Sequence, residues 1–140
     1  MREIQFRGKR KDNSEWVYGH YVSDNNRHFI VRFEIRSPPD SSQNYSTTDY
    51  YEVIPETVGQ YAGLRDKNEI KIFEGDVVRY MDFTNNPYNP YVEIKVVKFE
   101  NGCFKYSDTT IDVVLDDINS FEVIGNIHDN PEFLYEGELK

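Results

Sequence analysis

Few side chains in this chain could do chemistry: three histidines (His20, His28 and His128), one cysteine (Cys103), and an acidic cluster of Asp112, Asp116 and Asp117. A metal site needs three or four converging donors. His20 and His28 could meet across a hairpin with Asp24 between them, but His128 is remote, so structural roles are expected for all three. Cys103 has no neighbouring base to make it a nucleophile and reads as a buried, inert thiol. Strand alternation would put Asp112 and Asp116 on one face, where carboxylates can hold Mg²⁺ or share a proton. No Lys, His or Asn pattern accompanies them. The chain carries no phosphate-binding glycine loop, no HExxH, no CxxC pair and no G-x-S-x-G. The expectation is therefore no catalytic residue, no metal ligand, no cofactor and no enzyme.

Whatever these residues do, a scaffold must hold them. Only 38% of the 140 residues are apolar, but 11 Tyr, 9 Phe and one Trp offset the shortage of aliphatics. Each buried ring removes roughly 150–250 Å² from water, so a folded domain is expected rather than a disordered chain. One cysteine cannot form an intramolecular disulfide, which fits a reducing cytoplasm. The charged opening MREIQFRGKRK does not read as a secretory signal, and no apolar run reaches the ~18 residues that span a membrane.

The formal net charge is −9. From Ser107 to Lys140 there are nine acids against the single base Lys140, whereas the first eleven residues hold Arg2, Arg7, Lys9, Arg10 and Lys11 against Glu3. An acidic surface repels phosphate and argues against nucleic acid as a partner. The opposed ends suggest assembly of copies, basic strand against acidic tail.

Period-two alternation dominates the chain. REIQFR (2–7), WVYGHYV (16–22) and HFIVRFEI (28–35) read as strands, with Asp24-Asn25-Asn26 as a hairpin turn. SPPDSSQNYSTTD (37–49) has no period and reads as a mobile loop. PETVGQY (55–61) reads as a short helix opened by Pro55. Asp66-Lys67-Asn68 is a tight turn, and Glu74-Gly75-Asp76 interrupts a strand over 70–80. DFTNNPYNP (82–90) is a second loop. YVEIKVVKFE (91–100) and CFKY (103–106) flank Asn101-Gly102, the strongest hairpin signal in the chain. Residues 111–115 and 120–124 supply two more strands, and Pro131 opens a last helical turn capped by Asp129 or Asn130. The fold class is mainly β: short antiparallel strands in a small barrel or sandwich, its C-terminal half SH3-like, with one or two short helices. An N-terminal lobe over 1–50 and a barrel region over 51–140 are expected, or one continuous domain.

Several phrases, taken together, resemble the YopX family of phage and prophage proteins. They are Glu56-Thr57-Val58-Gly59-Gln60-Tyr61, Gly63-Leu64-Arg65-Asp66-Lys67-Asn68, Ile72-Phe73-Glu74-Gly75-Asp76-Val77-Val78, Glu122-Val123-Ile124-Gly125-Asn126-Ile127-His128 and Asn130-Pro131-Glu132. The opening MREIQFRGKR is similar to the family's start, with Gly8-Lys9 where a small residue and Trp are common, so Trp16 is expected to pack elsewhere. Glu69 stands where the family often has Gly, so a different turn is expected there. The resemblance implies a phage-encoded β protein acting in the cytoplasm of a bacterial host, without catalytic residues to carry over. Gly59, Gln60, Tyr61, Gly63, Leu64, Glu74, Gly75, Asp76, Gly125, Asn126, Asn130 and Pro131 are the motif positions, expected to be structural. Asp76 is expected to bond its own turn.

Three functional readings remain. The first is an accessory module that binds a protein, from host or phage or as a homo-oligomer, with no membrane role. The second is a single-stranded nucleic-acid binder stacking bases on strand aromatics beside Arg27, Arg32, Arg36, Lys95, Lys98 and Lys105. The third is nucleic-acid mimicry by the acidic tail.

Overall fold

Two asparagine turns set the strand pairings. At Asn25 and Asn26, φ is 48° and 68°; at Asn101 and Gly102, it is 54° and 81°. Positive φ at both central residues defines the type I′ turn, whose twist matches that of antiparallel strands. The computed structural model describes residues 3–40, 43–106, 109–110 and 121–134. The chain divides into two compact units, Met1–Gln60 and Tyr61–Lys140. The division between the units falls inside a strand.

In the first unit, β1 (Phe6–Lys9), β2 (Trp16–Asp24), β3 (Arg27–Arg36) and β4 (Tyr45–Glu52) form an antiparallel sheet in the order β4-β3-β2-β1. β4 corrects the expectation of a loop over 37–49. Its sequence, YSTTDYYE, lacks hydrophobic alternation, but β3 offers it an unbroken ladder from Phe29↔Glu52 to Arg36↔Tyr45. The expected helix over 55–61 is also corrected, since only Pro55–Thr57 makes a 3-10 turn. β5 (Gly59–Arg65) begins directly after it, and its first residues pair with β1 through Phe6↔Gln60 and Arg7↔Gly59. Buried Thr57 fixes the turn: its hydroxyl accepts from the Lys9 amide at 2.9 Å and donates to the Ile54 carbonyl at 2.6 Å. Val17, Ile30 and Val53 form the core with Phe6, Tyr21, Tyr51 and Val58. Trp16 lies under the Arg7 guanidinium, 4.6 Å from the ring centre, an arrangement that covers a nearly buried cation.

In the second unit, β6 (Lys71–Phe73), β7 (Asp76–Asp82), β8 (Tyr91–Glu100), β9 (Cys103–Tyr106), β10 (Thr109–Thr110) and β11 (Phe121–Asn126) follow. Five of them make an open antiparallel sheet in the order β10-β9-β8-β7-β11. The rest of β5 pairs with β6 through Tyr61↔Phe73 and Arg65↔Lys71. Ala62, Leu64 and Ile72 of that hairpin pack on Val78, Val97, Phe121, Tyr80, Phe104 and Val123 of the sheet. The fold is thus mainly β and antiparallel; among the described residues neither sheet closes into a barrel. The expected strand over 111–115 lies outside the described residues.

Between β5 and β6 the chain turns on Asp66, whose side chain is 1% exposed. Oδ1 accepts from the Asn68 and Ile70 amides at 2.8 and 2.9 Å, and Oδ2 from the Val123 amide at 2.9 Å. The Lys67 amide donates to the Phe121 carbonyl at 3.1 Å. One carboxylate thus closes a local turn and binds it to β11. Beside it, Glu122 bridges Lys67 at 3.0 Å and Arg79 at 2.8 Å. The Lys67 contact, followed by the Arg79 charge, holds the Glu122 carboxyl below its ordinary value.

Two tests follow from this corner. Glu69 closes the Asp66 turn with φ of 65°, a left-handed conformation that disfavours any side chain. Glu69→Gly is expected to stabilise the protein by about 0.5–1 kcal/mol in urea unfolding; destabilisation would show that the glutamate side chain matters more than the strain. Because the folded Glu122 carboxyl titrates below its unfolded value, its contribution is complete above the ordinary glutamate range, about 4.3, and is lost as pH falls through the folded value. The gap in Tm between wild type and Glu122→Gln should therefore narrow on acidification; a constant gap would exclude this linkage.

Candidate interaction surface

The motif residues cluster in the second unit and its approach, where they contribute backbone geometry and hydrogen bonds. Gly59 and Tyr61 are buried in β5, with Gln60 half-buried between them; Tyr61 packs on Phe73 at 5.7 Å. Gly63 and Gly75 both have φ of 91°. Leu64 joins the core. Glu74 and Gly75 form the corner between β6 and β7, where the Gly75 amide donates to the Val97 carbonyl and its carbonyl accepts from Ile127. Asp76, 2% exposed, accepts the Phe73 amide at 2.8 Å and so bonds its own turn. Asn126 Oδ1 accepts from the His128 and Asp129 amides at 3.0 and 2.9 Å. Asn130 does not act as a simple helix cap: its Oδ1 reaches back to the Asn126 amide at 3.2 Å. A Cβ on Gly125 would sit 2.4 Å from that oxygen, so a side chain there would push the Asn130 amide off its bond. Pro131 opens the 3-10 turn Pro131–Leu134.

The chemically capable side chains are dispersed. His20 lies across from Val31 and His28 from Ser23, so the two histidines do not meet. His28 Nδ1 is 2.5 Å from the Tyr21 hydroxyl. Cys103 is half-buried rather than buried, its thiol donating to the Glu100 carbonyl at 3.4 Å. Asp112, Asp116 and Asp117 fall outside the described residues. Among the described residues no three His, Cys, Asp or Glu side chains converge as metal ligands would, and no helix is long and apolar enough to cross a membrane.

A recess of about 170 Å³ in the first unit is lined by Arg10, Lys11, Asp12, Tyr50, Tyr51 and Glu52. Small-molecule pockets are usually some 300–1,000 Å³. Its charges also answer one another. Arg10 makes a forked pair with Asp12 at 2.9 and 2.6 Å and stacks over Tyr51 at 4.8 Å. Glu52 takes Arg27 at 3.1 Å and Lys11 at 3.2 Å, and these contacts, Arg27 first, hold its carboxyl below the ordinary value. Much of the basic opening segment is thus engaged within its own sheet.

The unexplained surface lies on β3 and β4. Cα partners share a face of the sheet, so the registers place His20, Val31 and Tyr50 in one row, with Phe33–Thr48 and Ile35–Ser46 as the next rows on that face. Val31 is buried, whereas Phe33, Ile35 and Tyr50 are 62%, 79% and 68% exposed. The reverse face of the same stretch carries Arg32, Glu34 and Arg36, with Glu34 bridging both arginines at 3.4 and 2.8 Å. Sequence reasoning identified HFIVRFEI as a strand but missed that Phe33 and Ile35, on the face of Val31 and opposite Ile30 of the core, are left uncovered. The signal was there, because Phe33 and Ile35 keep the period beside charges at 32, 34 and 36.

Of the cations weighed for nucleic acid, those of the first unit do not gather around these rings. Arg27 is tied to Glu52, and Arg32 and Arg36 occupy the opposite face. Lys95, Lys98 and Lys105 belong to the second unit, where Lys98 and Lys105 are cross-strand partners.

The family described as YopX protein matches residues 5–135. No curated protein matches the chain. Among solved structures, the chain is similar to protein EF1440 from Enterococcus faecalis. The two are 23% identical, the match covers 96% of this chain and 99% of that one, and the TM-score is 0.62. At that identity the likeness speaks for the fold. The family match takes in both units and every motif phrase placed above, and the chain therefore belongs to the YopX family.

Proposed function

We propose that the protein is a non-catalytic accessory module, encoded by a phage or prophage, that works in the host cytoplasm by binding another protein through the β3–β4 face of its first unit. The observation that carries this reading is the exposure of Phe33, Ile35 and Tyr50 on one face of one sheet. Isolated surface apolar residues are ordinary, but several grouped on one face of a sheet mark contact surfaces. Aromatic anchors with small neighbours such as Ser46 and Thr48 also suit protein interfaces. The ionisable groups around the recess support the same reading, because they are engaged with one another and with the backbone.

The test uses the intact tagged chain as bait in bacterial lysate, with and without nuclease, beside the double variant Phe33→Ser/Tyr50→Ser. Both side chains are exposed, so circular dichroism should be unchanged in the variant. The expected result is capture of a protein that survives nuclease and is lost with the variant. Capture only from untreated lysate would favour single-stranded nucleic acid stacked on the same rings. Equal capture by the variant would place the contact elsewhere.

A further inference from the structure

We propose that the free edge of β4 pairs with β4 of a second copy, joining two first-unit sheets across a twofold axis at Thr48; this rests on reading that sheet as an interaction surface. β4 is the outermost strand of its sheet. Its eight residues run in unbroken register with β3 and contain no proline, lysine or bulge, the usual devices that blunt an edge.

The backbone shows which groups on this edge are unpaired among the described residues. The Val53 amide donates to the His28 carbonyl of the neighbouring strand. In an antiparallel ladder successive residues point alternately to either side. The odd-numbered residues of β4 therefore bond to β3, and Ser46, Thr48 and Tyr50 present their amides and carbonyls to the open edge. The Lys11 amide already takes the outward carbonyl of Glu52, so the open edge ends there.

A twofold axis perpendicular to the sheet keeps each face on its own side, so paired residues must have the same parity. Two registers use the strand equally well. One centred on Asp49 would set two carboxylates directly opposite each other, which is destabilising. Centred on Thr48, the pairs are Thr48–Thr48, Ser46–Tyr50, Thr47–Asp49 and Tyr45–Tyr51, and no like charges meet. Charge therefore selects the Thr48 register.

Two further observations fit this register. On the exposed apolar face, Tyr50 of one copy falls beside Ser46 and, one strand further, Ile35 of the other, so the exposed rows interleave and cover one another. On the reverse face, Thr47 Oγ1 has no hydrogen-bond partner among the described residues of the single chain. Asp49 of the second copy would be set across from it, one χ1 step away.

The test uses the full chain with Cys103→Ser as background. Light scattering should show a dimer. Thr48→Pro removes only an outward amide, which an edge strand tolerates, and should give a monomer with an unchanged circular dichroism spectrum. A hydrogen-bonded antiparallel pair has Cα atoms about 5.5 Å apart, within disulfide range. Thr48→Cys should therefore oxidise to a covalent dimer in high yield, and Asp49→Cys should not. A wild type that stays monomeric at its highest soluble concentration would overturn the proposal. So would a dimer that survives Thr48→Pro, or cross-linking through Asp49→Cys instead. Thr48→Pro keeps Phe33 and Tyr50, so if it still captures a foreign protein that the Phe33→Ser/Tyr50→Ser variant loses, the wider reading stands without this one.

Discussion

A single buried carboxylate organises the second unit. Asp66 is enclosed where a bare charge would be costly, and it is retained because three backbone amides point at it. Each of those amides needs an acceptor once it leaves water, and an orphaned one costs about 1–3 kcal/mol. Two of the bonds shape the turn between β5 and β6, and the third binds β11. The turn is therefore held in place by a strand that lies more than fifty residues further along the chain. Asp76 repeats the device on a smaller scale at the next corner, and Asn126 and Asn130 do so after β11. The motif phrases of this family are, in physical terms, a set of polar side chains committed to backbone groups.

That commitment bears on where recognition can occur. Side chains saturated by amides inside a unit cannot also meet a ligand without breaking what they hold. The first unit is built differently. Its core is small, centred on Val17, Ile30 and Val53, and its sheet outruns that core along β3 and β4. The overhang is amphipathic: the side in line with Ile30 carries an Arg-Glu-Arg bridge, which costs little in water, and the side away from that core is apolar and exposed.

How much of this could be read from sequence follows from the range of each interaction. The hairpins at Asn25-Asn26 and Asn101-Gly102 were legible because positive φ is a property of the turn residues themselves. The turn at Gly75 was legible for the same reason, and the one at Asp66 because a short carboxylate side chain bonds nearby backbone amides. β4 was not, because YSTTDYYE has the composition of a loop and becomes a strand only beside β3. Residues 55–61 read as a helix because Pro55 and Glu56 suit a helix start; from Gly59 onward, pairing with β1 and β6 overrode that local preference. The Asp66 contact to Val123 was invisible, since no local pattern reports a bond across fifty-seven positions. The exposed face of Phe33 and Ile35 could be predicted as a face but not as an uncovered one, which depends on what packs against that side of the sheet.

The most direct test of this account is residue-resolved amide hydrogen exchange on the intact chain. If the Asp66 carboxylate holds the second unit together, the amides of Asn68, Ile70 and Val123 will be strongly protected and will exchange at a common rate, set by opening of the whole unit. Fast exchange at Val123, or three unrelated rates, would mean that the turn and β11 open independently, and would contradict the central role given to Asp66.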